Sequence, residues 1–186
     1  AAYKLGDPTA KNLGRMSLDP LKHMDPIGTI CLVLFGFGWA RPVMVNPRNL
    51  KNYRRDDAII SLAGPIMNLL TAFLFLGIYF LVLFTFGITN EIVINILNYI
   101  ISINLGLGIF NLIPIPPLDG SKVLFSFIPD ESYFKLMRYE RYGMILLLVL
   151  VSTKILGGPL STATSWLFDK LLVFAEFGFR LVTHFV

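Results

Sequence analysis

From Ala58 to Asn90 the chain reads AIISLAGPIMNLLTAFLFLGIYFLVLFTFGITN, and from Glu91 to Gly120 it reads EIVINILNYIISINLGLGIFNLIPIPPLDG. No charge falls between Asp57 and Glu91, and none between Glu91 and Asp119. Each run exceeds the roughly 20 apolar residues that carry a helix across a bilayer. A buried core helix of a soluble protein is the alternative. Two such runs, separated only by Gly87-Ile88-Thr89-Asn90, argue against it. The stretch predicts a transmembrane hairpin, outward from Ala58 to about Phe86 and back from Ile92 to about Ile113.

Composition agrees. Of 186 residues, 55% are hydrophobic and 15% charged, whereas soluble domains carry about 25% charge. The net charge of +4 does not point to nucleic acid, because the basic residues sit in loops between apolar segments, as cytoplasmic membrane loops do. Lys4, Lys11, Arg15 and Lys22 precede a short uncharged run, Pro26–Ala40, broken by Gly28, Gly36 and Gly38; Arg41, Arg48, Lys51, Arg54 and Arg55 follow it. Positive flanks on both sides place both ends of the run in the cytoplasm. The run is short for a span, and its glycines suit a backbone that dips into the membrane and returns. A short tilted crossing is the alternative.

Lys122, Lys135, Arg138 and Arg141 mark the cytoplasmic side again after the hairpin. Gly143–Ile155 is a further apolar run, and Pro159–Val186 is amphipathic, with Lys170, Glu176 and Arg180. These last segments read as one more hairpin, or as one span and one interfacial helix. No repeat or linker interrupts the chain. The expectation is one membrane-embedded domain over 1–186, an all-α polytopic fold with a re-entrant segment and a short β edge. The lone Cys31 excludes an internal disulfide and reads as a small buried hydrophobe. The chain opens Ala1-Ala2-Tyr3, without an initiator Met or a signal peptide, which suggests a fragment or a processed product.

Chemistry concentrates at the end of the return helix. Pro114, Pro116 and Pro117 cannot continue a helix, since each lacks an N–H and clashes with the preceding turn. The freed carbonyls are tolerated in a membrane only where protein or a water-filled cavity satisfies them. Gly120 permits a tight turn, and an extended segment would then present Asp119. Either Asp119 reaches the headgroups and caps the next segment, or a cation offsets its cost. A divalent metal is the strongest such partner. In the first span, Gly64-Pro65 should bend or open the helix, leaving Asn68 as an amide in apolar surroundings. Asn68 reads as interhelical glue, or as facing a polar cleft with Asn111 and Asp119. Asn95, Asn98 and Asn104 read as packing or cavity lining.

The string from Phe110 through Pro117-Leu118-Asp119-Gly120 resembles the second metal-binding motif of the site-2 protease family of intramembrane zinc metalloproteases, in its compact bacterial branch. Four further strings match in order. They are Ala2–Thr9, Gly14–Pro26, Gly38–Val43 with Asn46-Pro47-Arg48, and Ala63-Gly64-Pro65 with Asn68. The resemblance implies one zinc ion held by two histidines of an H-E-x-x-H helix and one later aspartate. The motif's glutamate would activate a zinc-bound water against a peptide bond of a transmembrane substrate. Helical i, i+4 spacing puts both histidines on one face, and zinc brings its water to a pKa of about 7. Asp119 takes the place of the aspartate ligand. Asn111 and Pro117 match the turn that positions it, Gly120 completes the motif, and Asn68 matches an asparagine near the active site.

One departure is large. No H-E-x-x-H occurs, and the two histidines are His23 and His184. His23 matches a loop position, and His184 lies in the amphipathic C-terminal segment. In the family the H-E-x-x-H helix runs into the Ala-Tyr-Lys-Leu-Gly-Asp string that here begins the chain. The expectation is that the zinc helix precedes Ala1 and that the 186 residues alone are inactive. An inactive, protease-like membrane binding module is the second reading. A transporter or scaffold is the third, and it leaves five coincident strings unexplained. Arg15–Leu18 and Arg41–Val45, with Val43 and Val45 as contacts, read as extended runs that pair with an unwound substrate strand. The predicted setting is a cell membrane, the bacterial inner membrane, with the lipid bilayer and a transmembrane protein substrate as partners.

Overall fold

The computed structural model of the chain describes residues 1–35, 38–129, 132, 135–136 and 140–184, with backbone alone at 35, 140–141 and 178–184. Gly36 and Arg138 lie outside these residues, as do the side chains of Arg141, Arg180 and His184. Helices carry almost all regular structure: α1 (Thr9–Asn12), α2 (Pro26–Phe35), α3 (Tyr53–Phe80), α4 (Glu91–Asn111), α5 (Asp119–Phe125), α6 (Glu140–Ser152) and α7 (Gly157–His184). They fall into two compact units, Ala1–Ile60 and Ser61–Val186.

In the second unit α3 and α4 form the hairpin read from the sequence. The helix of α3 continues through a π-helical turn, Leu81–Thr85, and Tyr53–Thr85 and Glu91–Asn111 are each long and apolar enough to cross a membrane. At 1.5 Å per residue, the 21 residues of α4 cover about 31 Å, close to the hydrocarbon thickness of about 30 Å. Asn90 starts α4 by accepting from the N–H groups of Ile92 and Val93 with its side-chain oxygen, at 3.0 and 3.3 Å. Pro65 does not open α3, which stays helical from Tyr53 to Phe80. It removes only the N–H that would have bonded the carbonyl of Ser61.

Packing explains why the hairpin holds. Leu97, Ile101, Leu105 and Gly108 make one buried stripe on α4, at the spacing of a single helix face. Ile101 and Leu105 close on Ala72, Leu76 and Phe80 of α3. Outside this core the hairpin exposes many apolar side chains: Ile66, Leu70, Phe73 and Leu74 on α3, and Ile92, Ile96, Ile103 and Leu107 on α4. Rows of exposed aliphatic residues on a folded hairpin mark lipid as the solvent.

The structure places the C-terminal amphipathic segment on this hairpin. Leu167, Phe168, Leu171, Leu172 and Ala175 of α7 pack against the α3–α4 core, and Phe174 lies 5.8 Å from Phe73 between ring centroids. Helix α6 meets α7 at 82° across a short break, where Lys154 adopts a φ of 58°. As a bent pair, Tyr142–Ser152 and Gly157–Phe177 are together apolar and long enough for one span.

In the first unit the segment around α2 leaves and returns to one point. Met24 and Ala40 form an antiparallel bridge, and the N–H of Arg41 donates to the carbonyl of His23 at 2.9 Å. A Cβ on Gly28 would sit 2.0 Å from the carbonyl oxygen of Trp39, and one on Gly38 would sit 2.2 Å from that of Gly28. The returning backbone therefore lies directly on α2, which only glycines permit. The exposed side chains of α2, Ile27, Ile30, Leu32, Val33 and Leu34, suit a segment dipping into lipid. The predicted β edge reduces to that single bridge among the described residues. Pairing fails because Arg41–Val45 has no neighbouring strand, and Arg15–Leu18 is irregular.

Asp7 ties this unit together. Its buried carboxylate accepts from the Thr9 hydroxyl and N–H, from the Asn49 amide at 2.8 Å and from the Asn46 N–H at 2.8 Å. The Thr9 and Asn49 side chains, with the two backbone donors, hold its pKa well below the usual carboxylate range against the opposing effect of burial. A depressed folded pKa means that the anchor is intact above the ordinary carboxylate value and weakens only as pH falls through the lower folded value. At pH 7, Asp7→Ala should markedly accelerate hydrogen exchange at the Asn46 amide, while wild type should keep that protection down to pH 5. Equal exchange in the two proteins would remove Asp7 as an anchor.

Candidate active site

Helix α4 ends at Asn111, and the chain does not then run extended. The N–H of Ile115 donates to the carbonyl of Ile113 at 2.8 Å, that of Leu118 to Ile115 at 2.9 Å and that of Ser121 to Leu118 at 3.1 Å. The prolines thus build a compact loop that bonds to itself, with a cis peptide between Pro116 and Pro117. The carbonyls of Ile113, Ile115 and Leu118 are thereby satisfied by protein, as a break within a membrane requires. The loop delivers Asp119 as the first residue of α5, half-buried.

Gly120 plays a different part from the one its sequence context suggests. It lies in the first turn of α5, and its φ is not among the positive values. The constraint is space: a Cβ there would stand 2.1 Å from the carbonyl oxygen of Leu112 and 2.8 Å from that of Ile113. Helix α5 therefore rests directly on the backbone at the end of α4. On the other side of the loop, a Cβ on Gly143 of α6 would meet the Pro116 carbonyl oxygen at 2.3 Å. Two close backbone approaches clamp the loop. The buried hydroxyl of Ser121 adds a bond to the Leu118 carbonyl at 2.7 Å.

Across from the loop stands α3. The Oδ2 atom of Asp119 lies 3.6 Å from where a Cβ on Gly64 would be, an ordinary contact distance, so the carboxylate lies over the bare backbone of α3. One turn further along, Gly108 of α4 meets the Pro65 carbonyl and the Cβ of Asn68. Helix α3 thus brings Gly64 to Asp119, and Asn68 to α4 about one turn from Asn111. Among the described residues neither asparagine amide makes a hydrogen bond to the protein, so both remain open to a ligand. Val43 and Val45 belong to the first unit, in the irregular, largely exposed Arg41–Val45 run. His23 also lies there, with Nε2 at 2.9 Å from the Ser17 carbonyl.

The donor chemistry at the loop is compatible with a metal but not sufficient for one. Zinc takes carboxylate oxygen, imidazole nitrogen or thiolate, usually four donors with at least three from protein. Among the described residues no three His, Cys, Asp or Glu side chains come together. Two features escape a reading of the sequence. One is the clamp at Gly143, whose only signal is a glycine opening an apolar run. The other is Asp169 in the middle of α7, which its spacing from Ser165 would flag. The clamp is testable: Gly120→Ala should lower stability by about 1–3 kcal/mol or more, as overpacking does, and displace Asp119. An unchanged thermal midpoint in detergent would contradict the close approach.

Residues 28–156 match peptidase family M50. The chain is 41% identical over 176 residues to YwhC of Bacillus subtilis strain 168, named as a candidate zinc metalloprotease, across 89% of this chain and 75% of that protein. It is 29% identical over 174 residues to Rip2 of Mycobacterium tuberculosis H37Rv, named likewise, across 90% of this chain and 65% of that protein. Zinc metalloprotease RasP of Bacillus licheniformis is 30% identical over 131 residues, 68% of this chain and 26% of its own length. No solved structure matches. A membrane hairpin that ends in a clamped Asp119-Gly120 loop therefore agrees with relatives that are all named for zinc-dependent proteolysis, and the chain belongs to peptidase family M50, the site-2 proteases.

Proposed function

We propose that this protein is an intramembrane zinc metalloprotease that cuts transmembrane protein substrates from a multi-pass position in the cell membrane, and that Asp119 is the carboxylate donor to its metal. One observation carries the reading. The proline-broken end of α4 spends two close backbone contacts, at Gly120 and Gly143, on fixing one carboxylate over the bare backbone of Gly64. A cap on a surface turn needs no such fixing. A metal donor does, because its geometry must be set before the ion arrives.

When bound, zinc would supply Lewis-acid chemistry and an activated water. The described residues do not complete its shell; the chain's own groups bind and orient. Asp119 holds a carboxyl group at a fixed place. Asn68 and Asn111 offer amide donors and acceptors beside it, suited to the backbone carbonyl and N–H of a bound peptide. The loop from Leu112 to Leu118 holds its shape with its own hydrogen bonds. The alternative is a membrane binding module that keeps the fold without the reaction.

Substrate would enter as an extended strand. A helix must unwind before hydrolysis, since its carbonyls are otherwise bonded. Among the described residues the backbone of Val43, Met44 and Val45 makes no hydrogen bond, so that run offers an unpaired edge.

Two experiments on the full-length protein separate these readings. Asp119→Asn should abolish proteolysis of a reconstituted transmembrane substrate and weaken zinc retention by more than roughly a hundredfold, beyond what loss of an outer-shell partner produces. Full activity would remove Asp119 from the centre. Full-length wild type that neither retains added zinc nor cleaves the substrate would establish the binding module. Val43→Pro should slow cleavage and leave zinc content untouched, whereas unchanged cleavage would refute edge pairing.

A further inference from the structure

The molecule has a second polar place, away from the Asp119 loop. A cleft of about 340 Å³ opens between α4 and α7, lined by Asn98 and Ser102 from α4 and by Thr164, Ser165, Phe168 and Asp169 from α7. Five of the six carry polar side chains. Among the described residues none of these five side chains has a hydrogen bond or ion pair with protein.

Its depth is what makes it unusual. Asn98 and Ser102 are the eighth and twelfth of the 21 residues of α4. Leu167, Phe168, Leu171 and Leu172, the neighbours of Asp169, pack on Ile101, Leu105, Ala72 and Leu76 at the middle of the hairpin. The carboxylate of Asp169 therefore stands level with the middle of the α3–α4 hairpin, where an ionisable group is costly and marks a functional site by default. Lys170, one residue on, points about 100° away round the helix and does not line the cleft. Glu176, two turns on, lies on the same side as Asp169.

We infer that the α4–α7 cleft docks a cationic side chain, Lys or Arg, carried within the membrane-spanning helix of a partner protein. Charge and size select that occupant. A carboxylate accepts only, and the hydroxyls of Ser102, Thr164 and Ser165 with the Asn98 amide oxygen supply further acceptors around it. An ammonium brings three donors and a guanidinium five, a match for that set. At about 30 Å³ per water molecule the cleft holds on the order of ten waters, far more room than a bare metal ion needs. It does fit a long flexible side chain entering sideways from lipid, since the cleft lies on the outer face of the α4–α7 pair, where Ser102, Ser165 and Asp169 are exposed. Polar contacts between helices in lipid contribute modestly one at a time, so the charge pair would dominate. The inference does not rest on the protease reading.

The test measures binding and not cleavage. Full-length protein in phosphatidylcholine vesicles is titrated with a fluorescent Leu/Ala host helix bearing one central Lys, and with a twin bearing Leu there, by energy transfer. The Lys helix should bind roughly tenfold more tightly, about 1.4 kcal/mol. Asp169→Asn should erase the difference, and Asp169→Glu should keep it. Ser102→Ala should reduce it, which supplies a second variant should Asp169→Asn fold poorly. Equal binding of the two helices to wild type would overturn the inference, and so would a Lys preference that survives in a folded Asp169→Asn protein.

Discussion

Backbone polar groups in a membrane have no water to fall back on, and this one constraint organises the second unit. A helix satisfies them internally; a break in a helix does not. The chain breaks α4 with three prolines and then repairs the damage locally, through Ile115, Leu118 and Ser121 bonding back along the loop. That repair requires the backbone of α5 to lie on Leu112 and that of α6 to lie on Pro116, which is why Gly120 and Gly143 carry no side chains. The position of Asp119 follows from these contacts. Its reach toward Gly64 follows from the close crossing of α3 and α4 at Gly108.

The hairpin is legible in the sequence because charge is absent over two long runs, and hydrocarbon thickness then fixes the reading. Asp119 is legible for the same reason: a carboxylate at the end of such a run needs an explanation. The shape of the loop is not legible. Proline excludes helix but does not say whether the chain extends or folds on itself. Gly120 reads as a turn glycine, yet its constraint is a contact with Leu112, eight residues earlier, which no local pattern reveals. The run whose ends meet at Met24 and Ala40 is visible in its flanking charges. The glycine-on-glycine closure at Gly28 and Gly38 emerges only from the fold.

The C-terminal segment shows the opposite case. Its amphipathic pattern fits both an interfacial helix and a packed one, and the choice depends on the surface it meets. The core of Ala72, Leu76, Ile101 and Leu105 offers α7 an apolar seat. Seating α7 there carries Asp169 to the depth of Asn98, a residue that by itself reads as cavity lining. Two polar places thus result from one packing arrangement. One is fixed by backbone clamps at the end of the hairpin, and the other is open along its side. The first suits chemistry that demands geometry, and the second suits recognition that tolerates a flexible side chain.

The central claim is that the proline-broken end of α4 exists to aim one carboxylate at a metal. X-ray absorption at the zinc edge of the full-length protein, compared with its Asp119→Ala variant, addresses it most directly. The account predicts a first shell in wild type that loses one oxygen donor in the variant. Superimposable spectra from two zinc-loaded proteins would contradict it.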